Sequence, residues 1–150
     1  MNRKWKSLGT HTKRSRQRMK FYWAGRAVSV NKWTGIRIIS KGGKHIPMVY
    51  KTPAYKKFID SLAKVFTGHH IAGYIDVEIR VCFWKMRDTD SSIKPICDAM
   101  EQAGLVKNDR FIRNITILRT YHKRDEYDDI GITVVPVAAG EDFDLTHDAY

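Results

Sequence analysis

From Ile75 to Phe83 the chain sets Ile, Val, Ile, Val and Phe at every second place, with Asp76, Glu78, Arg80 and Cys82 between them. Successive side chains of an extended strand point to opposite faces, so this run demands a sheet with one covered side. A suitable cover lies upstream. Thr52 and Pro53 read as the N-cap and first residue of a helix, on which Tyr55, Phe58, Ile59, Leu62 and Phe66 recur at three- and four-residue steps until Gly68. Before it, residues 27–30, 35–40 and 46–50 are short β-like runs, the last two separated by a Gly42-Gly43 turn. A second helix is predicted from Ser91 or Ser92 to Gln102, with Pro95 in its first turn and Gly104 as its stop. Strands at 111–122 and 131–137 follow, and Pro136 puts the latter at an edge or at its own end. Strands and helices mix without regular βαβ alternation. The expected fold class is therefore α+β, a single domain with a mixed β-sheet and two main helices over residues 27–137. Residues 1–26 read as a flexible basic N-terminal arm and 138–150 as an acidic, disordered tail.

A chain of 150 residues with 43% apolar content can bury one core, and no apolar run approaches the roughly 18 residues of a membrane span. The N-terminus is basic and lacks the apolar stretch of a secretory signal. Cys82 and Cys97 have no zinc spacing and allow one bridge at most. A cytoplasmic location is expected. The net charge of +11 is unevenly spread: +16 over residues 1–59, which hold no Asp or Glu, +3 over 60–124, and −8 over 125–150. So basic a stretch attracts polyanions, and phosphate is the commonest. Trp5, Phe21, Tyr22 and Trp23 interleave with the cations, as nucleic-acid-binding segments do. A solubilising arm, an organelle presequence, or core packing of Phe21 to Trp23 would give the same pattern. The cations expected to meet nucleic acid are Arg14, Arg16, Arg18, Lys32, Arg37, Lys41, Lys44, Lys85 and Arg87.

Chemistry, if present, lies between Asp88 and Asp109. Asp88 and Asp90 stand two apart after the alternating strand, and two close carboxylates repel unless a cation sits between them. If the strand that follows Asp109 pairs beside the first, Asp109 can reach the same spot. Asp98 lies one helical turn beyond Lys94. Oxygen ligands of this kind suit Mg²⁺, with Mn²⁺ as a substitute, and a pair of such ions can activate water and stabilise a leaving oxygen. Lys94 would orient or help deprotonate that water, or neutralise charge on the scissile phosphate. The plainer reading is equally open: Asp88 and Asp90 cap the helix, and Lys94 pairs with Asp98 on its surface. A calcium loop fails, because Ile93 and Ala99 occupy the places of the required Gly and Glu. The run Asp76-Val-Glu78-Ile-Arg80 only faintly suggests a restriction-type core.

The segment Asp88-Thr-Asp90-Ser-Ser-Ile-Lys94-Pro-Ile-Cys-Asp98-Ala-Met resembles the D-x-D-N-x-x-K-x-x-x-D-A-L signature of the RusA-type Holliday junction resolvases. Ala103-Gly104-Leu-Val-Lys-Asn108-Asp109 is similar to the second acidic motif of that family, and Ser29-Val-Asn31 and Thr52-Pro-Ala-Tyr55 match more loosely. Ser91 replaces the usual Asn, and Asn108-Asp109 replaces an acidic pair. The resemblance implies a homodimeric, Mg²⁺-dependent endodeoxyribonuclease of bacterial or phage origin that binds branched DNA and resolves four-way junctions by paired symmetric nicks, in recombination and repair. Carried onto this chain, it makes Asp88, Asp90 and Asp109 metal ligands, has Asp98 supporting or ligating, and sets Lys94 beside the attacking water. Phe83 and Trp84 would stand where they can intrude on the junction. Against this enzymatic reading stands a non-enzymatic, basic nucleic-acid-binding protein of ribosome or nucleoid. A transferase using Asp88 and Asp90 on a nucleotide diphosphate lacks a Gly-rich phosphate loop.

Overall fold

The computed structural model describes residues 17–85, 87, 90–121 and 126–138, with the Asp90 side chain outside the description. Among these residues six strands and two α-helices follow in the order β1 (Met19–Gly25), β2 (Thr34–Lys41), β3 (Lys44–Lys51), α1 (Pro53–Phe66), β4 (Ile75–Phe83), α2 (Asp90–Gln102), β5 (Ile112–Tyr121) and β6 (Asp128–Pro136). Four strands form one sheet in the order β1-β6-β4-β5, and β2 and β3 form a separate hairpin. β4 and β5 run parallel while the other neighbours run antiparallel, so the sheet is mixed. The expected α+β class is what forms. No helix among the described residues is long and apolar enough to cross a membrane.

The alternating run becomes β4, with Ile75, Val77, Ile79, Val81 and Phe83 all buried. α1 lies against that face. The Thr52 hydroxyl accepts from the Tyr55 N–H at 3.2 Å and satisfies one orphan donor of the first turn, and Pro53 needs no acceptor there. Tyr55, Phe58, Ile59, Leu62, Ala63 and Phe66 fill the core, and each large side chain taken from water stabilises the fold by about 1.5–3 kcal/mol. α1 ends where Gly68 adopts φ +84°, a conformation strained for any residue with a Cβ.

Three expectations change. Residues 19–25, assigned above to the arm, form a sheet strand paired with β6, with Phe21 opposite Ile132 and Trp23 opposite Ile130. Met19, Phe21 and Trp23 turn inward while Lys20, Tyr22 and Ala24 turn outward, a period-two pattern that the surrounding cations obscure. Trp23 packs edge-on to Phe58 and donates its indole N–H to Ser61 at 2.8 Å. Residues 27–30, expected as a strand, are a connection ending in a 3-10 turn at Val30–Lys32. Ala27 is buried there because its N–H reaches the Asp128 carboxylate at 3.0 Å. α2 starts at Asp90 and not at a serine, so Pro95 falls inside the helix, beyond its first turn. Pro136 is the last residue of β6, an interior strand, and so marks an end and not an edge. Residues 1–16 of the arm, including Trp5, and 139–150 of the tail lie outside the described residues.

Candidate active site

The path from β4 to α2 is held by one buried carboxylate. Asp128 opens β6 and is fully buried. One of its oxygens accepts from the Trp84 N–H at 3.2 Å; the other accepts from the Ala27 N–H and lies 3.4 Å from the Arg87 guanidinium. Arg87 also donates to the Ala27 carbonyl at 2.7 Å, and Arg119 of β5 donates to the Arg87 carbonyl at 2.8 Å. The chain just before Asp88 is thus fixed at once to the connection after β1, to β5 and to β6. A buried charge survives only when paired and hydrogen-bonded, and both conditions are met here. Asp88 itself and the Asp90 side chain lie outside the described residues.

α2 carries position 90, Lys94 and Asp98. Position 90 begins the helix, Lys94 lies one turn on, and Asp98 one turn further, so the three share a face. Lys94 donates to Asp98 Oδ1 at 2.5 Å. Asp98 Oδ2 accepts from the Tyr55 hydroxyl at 2.8 Å and from Lys51 Nζ at 3.2 Å. These groups line a groove of about 620 Å³ between α1 and α2. Both oxygens of Asp98 thus accept from protein donors, as a residue supporting Lys94 would. Burial opposes ionisation of Asp98, but its bonds to Lys94, Tyr55 and Lys51 outweigh it and hold the carboxyl below its usual range. The same bond to Asp98 raises the pKa of Lys94 against the opposing effect of burial, and the Asp109 charge raises it further. Burial and then the bond to Asp98 push the Tyr55 hydroxyl up. Lys94 is accordingly an ammonium at neutral pH.

The sign of each shift sets a pH window. The Asp98 contribution to stability is full above the ordinary carboxylate value of 3.8 and is lost as pH falls through the depressed one. That of Lys94 is full below the ordinary 10.5 and is lost as pH rises through the raised one. Asp98→Asn should therefore lower the melting temperature by a constant amount around neutrality, and the gap to the parent should close in acid. Melting curves across pH check this; a gap that widens in acid contradicts it.

Asp109 is exposed at the start of the 3-10 turn Asp109–Phe111, which Asn108 caps by accepting from the Arg110 N–H at 3.0 Å. The strand after it does pair beside β4, but in parallel. Ile112 stands opposite Ile75, so Asp109 lies at the other end of the pair from Phe83. What brings its charge to bear on Lys94 and Cys97 is the return of the chain through α2. Among the described residues no three His, Cys, Asp or Glu side chains converge as a metal-binding group.

The cations divide. Arg14 and Arg16 lie outside the described residues. Arg37, Lys41 and Lys44 are exposed on the hairpin, and Lys32 is exposed near its base. Lys85 is exposed and stacks over the Trp84 ring at 4.2 Å. Arg18 borders a hollow with Asp76 and Glu78, on the side chains that face away from the core. Arg87, with its side chain 15% exposed, is spent on Asp128 inside the protein and not on phosphate. Phe83 is a core residue. The sequence does not mark Tyr55 and Lys51 as site residues: Tyr55 reads as one more apolar helix position, and Lys51 as one more cation. Nothing in the sequence signals Asp128, which sits among acidic neighbours.

The family model described as Endodeoxyribonuclease RusA matches residues 34–134, from the first residue of β2 into β6. The chain belongs to the RusA endodeoxyribonuclease family. A curated relative, the crossover junction endodeoxyribonuclease RusA of Aquifex aeolicus (strain VF5), is 33% identical over 92 residues, which is 57% of this chain and 70% of that protein. The matched span contains the whole Lys51–Tyr55–Lys94–Asp98 groove, Asp88, Asp90 and Asp109. Membership in the RusA family makes the chain a nuclease and sets aside the non-enzymatic binding module and the transferase. Strand β1 lies upstream of the matched residues.

Proposed function

We propose that this RusA-family nuclease resolves four-way DNA junctions by paired, symmetric, Mg²⁺-dependent nicks, acting in recombination and repair. The observation that carries the reading is Lys94, held as an ammonium by Asp98 on the helix that Asp90 begins, within reach of the Asp109 charge. The donor chemistry fits a hard divalent cation: carboxylates at 88, 90 and 109 offer only oxygen, as Mg²⁺ requires and Mn²⁺ accepts. Asp88, Asp90 and Asp109 would hold it, and Asp98 supports Lys94 instead of ligating. Magnesium bound there supplies a water of lowered pKa and a Lewis acid for the leaving oxygen.

The residues of the chain do the rest. Lys94 lies against the scissile phosphate and neutralises the charge that develops on it, a role its raised pKa favours over proton abstraction. Asp98, Tyr55 and Lys51 keep the ammonium in place. The hairpin cations and Lys85 hold the flanking phosphates. A four-way junction has approximate two-fold symmetry, and a homodimer with an isologous interface would present two equivalent sites to opposing strands. The natural setting is the cytoplasm of a bacterial or phage-infected cell.

The test is cleavage of a synthetic four-way junction beside linear duplex of the same sequence. Nicking should require Mg²⁺, stop with EDTA, persist in Mn²⁺, and occur at symmetric positions in two opposing strands. Cutting of duplex at the same rate, or cutting that survives EDTA, overturns the proposal.

A further inference from the structure

The β2–β3 hairpin stands apart from the sheet. Its register pairs Ile36 with Val49 and Ile38 with Pro47 on one face, and Arg37 with Met48 and Lys41 with Lys44 on the other. The first face is bare: Ile36 is 73%, Ile38 71% and Val49 67% exposed. The strands keep eight residues each, about 27 Å at the usual rise, and end in Gly42 and Gly43 at φ +58° and +76°, with nothing within contact of either position. A two-stranded ribbon has little stability of its own, and a contiguous apolar face left in water usually marks a contact site. The base of the ribbon is fixed, however. The Thr52 N–H donates to the Trp33 carbonyl at 2.8 Å and the Thr52 hydroxyl to the Lys32 carbonyl at 2.5 Å. Lys51, the last hairpin residue, is bonded to Asp98 in the groove.

Charge decides what covers this face. Residues 34–51 carry Arg37, Lys41, Lys44 and Lys51 and no acid; Arg37, Lys41 and Lys44 lie on the face opposite the apolar one, but the field of so narrow a ribbon attracts a polyanion and repels a second hairpin of the same charge. A β-ribbon fits the width of a DNA groove, and apolar side chains are the ones that wedge against unstacked bases. Bases at a branch point cost least to expose, because their stacking is already interrupted. We propose that the Ile36, Ile38, Pro47 and Val49 face of the hairpin seats against the open bases of the branch point, with Arg37, Lys41 and Lys44, on the opposite face, toward the phosphates of the flanking arms. The proposal rests on branched DNA being the substrate, and it assigns junction preference to the hairpin and not to the carboxylates.

The test uses the full chain in EDTA, where cutting is suppressed, on a four-way junction carrying 2-aminopurine at the branch and on linear duplex of the same sequence. The Ile38→Ser/Val49→Ser double variant removes apolar surface that packs on nothing, and circular dichroism confirms its fold. Its affinity for the junction should fall about tenfold or more and for duplex less than about threefold, while the rise in 2-aminopurine fluorescence on binding disappears. Lys41→Ala/Lys44→Ala should instead weaken both DNAs alike and flatten the salt dependence. Equal losses on both DNAs for the serine variant, or no loss, overturn the proposal. So does a changed sedimentation mass, which would make the face a contact between copies. A parent that prefers junctions in EDTA but does not cut them in Mg²⁺ leaves the hairpin assignment standing and overturns the metal assignment.

Discussion

Asp90→Asn should bind a four-way junction as the parent does and fail to cut it. The change keeps the side-chain volume and the start of α2 but removes one negative charge from a site proposed to hold divalent ions. Loss of a metal ligand forfeits several kcal/mol of charge stabilisation in the transition state, so cleavage should fall about a thousandfold or more. Binding rests on the cations, so junction affinity measured in EDTA should stay within about threefold of the parent or improve as a negative charge leaves the site. Single-turnover cleavage with radiolabelled or fluorescent junction provides the measurement. Cutting within about tenfold of the parent removes Asp90 from the metal site.

The second large effect lies away from the groove. Asp128→Ala deletes the carboxylate that holds Ala27, Trp84 and Arg87 together and leaves a mostly buried guanidinium without its counter-charge. Breaking a buried pair from one side costs about 3–5 kcal/mol. For a domain of this size that corresponds to a melting temperature lower by roughly 10 °C. Cleavage should fall as well, because the residues preceding Asp88 lose their anchor. Adding Arg87→Met should restore part of the stability, since an apolar chain of similar length has no charge to strand. Thermal unfolding followed by circular dichroism decides it; a single variant that melts within about 2 °C of the parent shows that the clamp is not needed.

The parts of this molecule that could be read without coordinates are those where one periodicity dominates. β4 alternates over nine residues and α1 repeats at three and four, and both elements formed where the pattern placed them. β1 carries the same alternation in Met19, Phe21 and Trp23, but its three inward positions sit among cations that mask the period. α2 begins one or two residues before the expected start, because Ser91 and Ser92 are themselves favoured caps and mask the true first turn. The candidate site was legible as a set of residue types at set spacings. Its wiring was not. The parallel sense of β4 and β5, which places Asp109 at the far end from Phe83, follows from long-range pairing that no local pattern encodes. Two of the bonds to Asp98 come from Lys51 and Tyr55, on β3 and α1, and the engagement of Arg87 needs Asp128 from β6.

One thiol in α2 offers a built-in clock for how often this helix comes away from the sheet. Cys97 is 7% exposed, and burial followed by the Asp109 charge pushes its pKa to about 11, so the packed form presents almost no thiolate to an alkylating reagent. Its modification must then pass through transient opening of α2. Cys82, partly accessible on β4, supplies an internal reference for reagent activity. The ratio of the two alkylation rates, read by mass spectrometry with and without divalent ions, would time that opening directly and show whether such ions slow it.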